Sequence, residues 1–106
     1  MIDSEFFTFS DGKKAGFRIS GHSGTAEAGK DVVCAAVSSA AYLVVNTITD
    51  LLGRKVSVYV KDGFMECKIA PEDAEACSTL FEGLRLHLSA LSRQYPHNIQ
   101  VSDMEV

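Results

Sequence analysis

The chain has 106 residues, 46% of them hydrophobic and 23% charged, with a formal charge of −4, which is the size and balance of one ordinary globular domain. An acidic balance excludes a protein that grips nucleic acid mainly through phosphates, and suits a basic peptide, steered weakly by the surface charge. No apolar run approaches the roughly 20 residues of a membrane span, and the start, Met-Ile-Asp-Ser-Glu-Phe-Phe, lacks the basic and apolar regions of a secretory signal, so a cytoplasmic protein without a membrane partner is expected.

Residues 2–9 are rich in aromatics and read as a strand, turned at Ser10-Asp11-Gly12-Lys13 because Asp-Gly favours positive φ. Residues 15–21 alternate, with Ala15, Phe17, Ile19 and Gly21 on one face. His22 ends this strand on the opposite face. Residues 23–30 form a loop of small residues containing Gly24 and Gly29, suited to a mobile cover or a plain connection.

The first helix is expected over residues 31–52, with Val33, Val37, Ala40, Val44, Ile48 and Leu51 as its buried stripe. Its Ala- and Ser-rich first half is narrow enough for another backbone to come close. Gly53 stops it in the left-handed conformation, and Arg54 and Lys55 sit near its negative end. Residues 56–61 and 64–70 make a hairpin around Asp62-Gly63, with Val56, Val58, Val60, Met65, Cys67 and Ile69 facing the core. A second helix opens at Pro71, and Ala74, Cys77, Phe81, Leu84, Leu88, Leu91 and Tyr95 step by three and four along its buried side. His87 lies off that stripe, while Leu80 and Leu86 flank it as possible partner contacts. Pro96 forbids continuation, and residues 98–104 add a last edge strand. The order ββαββαβ predicts one α+β domain over residues 1–106, two-layered, with two helices on one face of a mostly antiparallel sheet.

Chemistry gathers between residues 21 and 39. If Asp31 is the N-cap, Cys34 is the third helical residue, within the turn where unpartnered amides and the macrodipole favour an anion, and the thiolate is the reactive form of cysteine. Alone, a cysteine in an Ala/Val-rich helix reads as a small buried hydrophobe. Beside a loop carrying His22 it reads as a nucleophile with its general base. The helix-start amides would then receive the oxyanion. Asp31 is ambiguous: as a cap it accepts the Val33 or Cys34 amide, yet its charge opposes the thiolate and occupies an amide the oxyanion would use, and it could instead orient His22. Ser38, one turn beyond Cys34, either contacts thiolate or substrate or bonds back to a carbonyl. Cys34, Cys67 and Cys77 are an odd number without metal-type spacing, and the three histidines are scattered, so no disulfide framework, metal or cofactor is expected.

Gly21-His22, the twelve-residue step to Cys34, and the run Asp31-Val-Val-Cys-Ala-Ala-Val-Ser38 resemble the bacterial ribosomal-processing cysteine protease family (Prp). The likeness covers the whole chain by element order and length, with its specific part in residues 21–38. That family usually has Ala after Gly-His and Ile in Asp-Ile-Val-Cys; Ser23 and Val32 depart from this without touching a reactive group. The resemblance implies a homodimeric peptidase that removes a short N-terminal extension from the twenty-seventh large-subunit ribosomal protein. Its dyad would be His22 and Cys34, with Gly21, Asp31, Ala35 and Ser38 in supporting or substrate-binding places, and the small-residue helix beside the dimer partner. Paired aromatics before the cut imply an apolar pocket. Two other readings use the same residues: a non-catalytic assembly factor that holds a ribosomal protein tail, which gives Cys34 no task, and a thiol acyltransferase or thioesterase with the same pair.

Overall fold

Ile2, Ser4 and Phe6 alternate with Asp3, Glu5 and Phe7, and this period of two makes strand β1 (Ile2–Thr8), whose even positions face the core. In the computed structural model, which describes residues 1–22 and 31–106, β1 pairs antiparallel with β2 (Lys14–Ser20), placing Phe6 opposite Phe17. Strand β2 pairs in turn with β4 (Phe64–Lys68), and β4 with β3 (Ser57–Lys61), both antiparallel. The last strand, β5 (Ile99–Glu105), lies on the far side of β1 and runs parallel to it, giving the order β3-β4-β2-β1-β5. That one parallel pair needs a long crossover, which the second helix supplies.

Both helices lie on one face. Phe6, Phe17, Cys67 and Ile99 from the strands share a buried cluster with Val37 and Ala41 of helix α1 (Val32–Asn46), Ile48 just beyond its end, and Phe81 and Leu88 of helix α2 (Ala74–Gln94). Phe17 is its hub, with ring centroids 6.3 Å from Phe6 and 6.0 Å from Phe81. This is the expected two-layer α+β arrangement. On the other face Phe7 is buried beneath Arg18 and Lys68, whose cationic groups lie 5.5 and 5.2 Å from its ring centre.

Helix α1 departs from the expected single α-helix after Asn46. Thr47–Leu51 form a π-turn, with the Leu52 amide donating to the Thr47 carbonyl at 2.9 Å, and the chain leaves through Gly53 at φ +64°. The wider turn advances each residue by a smaller angle than an α-helix does. Leu51, expected in the buried stripe, is therefore swung out to 79% exposure. Upstream, within regular α-helix, Ala41 is fully buried where Ala40, which is partly buried, was expected. Arg54 reaches away from the helix end to Asp73, at 3.2 Å.

Val32–Leu51 is also long and apolar enough to cross a membrane, with a mean hydropathy of 1.7, contrary to the compositional expectation. Ser38, Ser39, Asn46, Thr47 and Thr49 interrupt any continuous apolar run there, yet the first charge after Asp31 is Asp50. Part of that apolar character serves the core, where Val33, Val37, Ala41, Val44, Val45 and Ile48 are buried, while Val32, Leu43 and Leu51 remain exposed.

Val58 and Val60 pair with Cys67 and Met65 and so face the helix side, as expected. They remain 40% and 47% exposed, because β3 is the sheet edge and neither helix extends over it. Helix α2 follows a 3-10 turn at Pro71–Asp73 and buries Ala74, Cys77, Phe81, Leu84 and Leu88 as the spacing predicts, with Leu91 and Tyr95 at the margin of the core. His87 is exposed, also as expected. Truncating the hub tests this packing: Phe17→Ala should lose about 3–5 kcal/mol in urea unfolding, and a loss under about 1 kcal/mol would move the centre of the core elsewhere.

Candidate active site

At the end of β2 the chain bends sharply. Gly21 stands at φ +93°, and a side chain there would run into the Met1 carbonyl. Strand alternation assigns His22 to the face opposite Phe17 and Ile19. The left-handed bend carries it instead to a cavity shared with Ile19. Two hydrogen bonds hold this corner: the Gly21 amide donates to the Gly63 carbonyl at 2.9 Å, and the Met1 ammonium donates to the His22 carbonyl at 2.6 Å.

Cys34 comes from the helix start. Asp31, in extended conformation and 4% exposed, is the N-cap of α1: its Oδ1 accepts the amides of Val33 at 2.9 Å and Cys34 at 3.2 Å. Its backbone carbonyl accepts the Ala35 amide at 3.0 Å. A carboxylate here complements the helix dipole, and the cap contributes about 0.5–2 kcal/mol. The Val33 and Cys34 amides, expected to receive an oxyanion, thus already hold a carboxylate oxygen.

His22 and Cys34 line one cavity of about 270 Å³, together with Gly21 and Ser38. Cys34 is half-buried and His22 exposed, so the pair spans the boundary between core and solvent. Ser38 stands in the cavity wall one turn after Cys34, in contrast to Thr47 and Thr49, whose hydroxyls bond back to the Leu43 and Val45 carbonyls at 2.7 and 3.2 Å. Ala35, expected beside the site, is exposed and outside the described lining, because one residue further along a helix is a rotation of about 100°. The loop of residues 23–30, with Ser23, Gly24 and Gly29, lies outside the described residues.

Sequence reasoning missed the opposite wall. It comes from the β3–β4 hairpin: Val60, Lys61, Asp62, Gly63, Phe64 and Met65 line the same cavity as the helix residues. Tyr42 lines it too. Its spacing from Cys34 and Ser38, two steps of four, was a readable signal of a shared helix face. Nothing local in the hairpin points to His22.

The other two thiols are core groups, as expected for both. Cys67 is fully buried, and burial, aided by the nearby Cys77 thiol, pushes its pKa up to about 12. Burial raises Cys77 as well.

An α+β layer presenting a half-buried cysteine and an exposed histidine on one cavity has the composition of a thiol-dependent hydrolase site. The family model "Cysteine protease Prp" matches residues 1–100. The ribosomal processing cysteine protease Prp of Bacillus subtilis (strain 168) is 31% identical over 93 residues, covering 81% of this chain and 82% of that protein. Among solved structures, the ribosomal processing protease Prp of S. aureus with a covalently linked product peptide superposes with TM-score 0.89 at 22% identity, over 98% of this chain and 100% of that one. A protein from Streptococcus mutans superposes with TM-score 0.84 at 29% identity, over 100% of this chain and 96% of that one. The chain belongs to the Prp family of cysteine proteases.

Two measurements follow from this geometry. Asp31→Ala should lower unfolding stability by about 0.5–2 kcal/mol in urea; unchanged stability would mean that water replaces the cap without cost. In the native protein at neutral pH, iodoacetamide should modify Cys34 well ahead of the buried Cys67 and Cys77. Equal labelling of all three, read by peptide mass, would show that burial does not separate them.

Proposed function

We propose that the protein is a cysteine endopeptidase that removes the short N-terminal extension of the twenty-seventh large-subunit ribosomal protein during ribosome assembly, in the cytoplasm. The observation that carries this reading is that His22 and Cys34, brought from a strand end and a helix start, line one cavity together with apolar groups such as Ile19, Val60 and Phe64. The Bacillus relative, described as a ribosomal processing protease, supports the substrate class. An acidic chain of charge −4 suits a basic protein's tail.

In the proposed reaction His22 accepts the proton of the Cys34 thiol, and the thiolate attacks the scissile carbonyl carbon to form the C–S bond. The electron pair displaced onto oxygen returns as the C–N bond breaks, and the His22 imidazolium protonates the departing amine. Water, deprotonated by His22, then attacks the thioester, releasing the acid and restoring the thiol. Val60, Phe64 and Met65 provide apolar surface for the residues before the cut, and Ser38 a hydroxyl beside the reacting sulfur. Oxyanion stabilisation by the Cys34 amide requires the substrate oxygen to compete with Asp31 Oδ1.

A homodimer fits the same reading. Between α1 and α2 runs a second, shallower groove lined by Ala36, Ala40, Leu43, Leu80 and His87, with Leu43 68% exposed.

The test is incubation with a peptide reproducing the ribosomal protein's N-terminal extension and first mature residues, with products read by mass. Cys34→Ala should abolish cleavage while unfolding like the parent, and His22→Ala should reduce kcat/KM by about 10²–10⁴-fold. Turnover by folded Cys34→Ala would remove the nucleophile assignment.

A further inference from the structure

The turn between β3 and β4 reverses the chain at Asp62-Gly63, and Gly63 stands at φ +70°, which by itself accounts for a glycine. Its surroundings add a second reason. A methyl group built on Gly63 would lie 3.0 Å from His22 Nε2, 3.6 Å from Cε1 and 3.7 Å from Cδ2. The tip of the imidazole therefore rests against the bare α-carbon of the turn. The carbonyl of the same residue accepts the Gly21 amide at 2.9 Å, so ring and preceding backbone are both located by Gly63. Gly12 and Gly53, also left-handed at φ +92° and +64°, have nothing within 4 Å of the same built methyl. At those two positions backbone conformation alone calls for glycine.

We propose that Gly63 is a positioning residue for the general base: the side chain it lacks is the seat that holds the His22 imidazole at the cavity shared with Cys34. This rests on the assignment of His22 as base. A Cβ at position 63 requires the ring to give by a few tenths of an ångström or the turn to move, and misplacing the group that takes the proton slows the transfer. Among the described residues, the titratable groups that share the cavity with His22 are Cys34 and Tyr42 on α1, Lys61 at the end of β3 and Asp62 on the turn, with the Met1 ammonium bonded to the His22 carbonyl. Lys61 and Asp62 travel with the seat, so displacing the turn also changes the charge around the ring.

The experiment compares Gly63→Ala with Gly53→Ala. Both place a side chain on left-handed backbone and lose similar stability. Only the first meets His22. Three quantities are read: unfolding in urea, the NMR resonances and titration midpoint of the His22 ring, and kcat/KM on the extension peptide. Gly63→Ala should move the His22 resonances and midpoint and lower kcat/KM by about tenfold or more, while Gly53→Ala leaves all of these at parent values. Should Gly63→Ala unfold, Gly63→Asn carries the same Cβ on a residue that tolerates this backbone, and the same changes are expected. A folded Gly63 variant whose His22 ring and titration match the parent overturns the proposal, as does Gly53→Ala with the same changes. If the parent fails to cut the peptide, the functional reading fails, and the NMR comparison still decides whether the seat exists.

Discussion

The carboxylate of Asp31, hydrogen-bonded to the Val33 and Cys34 amides, fixes where α1 begins and therefore where Cys34 stands. A helix that started one residue later would rotate the thiol by about 100° and take it off the cavity. The same bond creates a tension in the chemistry. The first-turn amides are the obvious donors for an oxyanion, and the cap already fills them. Stability at the helix start and the catalysis proposed for Cys34 would draw on the same N–H groups, those of Val33 and Cys34 that Asp31 already accepts.

Helix α1 carries two functions on adjacent faces. Val33, Val37, Ala41 and Val44 belong to the core shared with the sheet, while Cys34, Ser38 and Tyr42 step by four along the cavity. Each row lies beside the other because successive residues are about 100° apart. Two apolar or weakly polar faces, with the narrow small-residue surface between them, leave little of the helix for charge. That is why a core helix here has the hydropathy of a membrane-spanning one.

The sheet edge completes the arrangement. Val60 has the parity of a core residue, and the helices stop short of it, so its side chain becomes cavity wall. A more centrally placed β3 would close that side under helix packing and remove the cleft. Exposed apolar surface on an edge strand is normally a hazard. Here part of it, at Val60, lines the cavity that His22 and Cys34 share.

The sequence alone determined what depends on neighbours within about four positions: where the strands and helices fall, the left-handed stop at Gly53, the Asp62-Gly63 turn, and the core stripe that claims Cys77; it left Asp31 open between cap and partner of His22, and it did not show the π-turn at Thr47–Leu51. Periodicity and end-capping are short-range effects, carried by hydrogen bonds and side chains of adjacent turns, so they leave a local record. The tertiary structure decided the parallel placement of β5, the extent of helix cover over β3, and the meeting of His22 with Gly63, forty-one positions further along the chain. Those outcomes come from the order in which strands pair and from which surfaces are left once the core is filled. Even the direction of His22 follows that rule, since strand alternation predicts one face and a single left-handed glycine, packed against Met1, delivers the other.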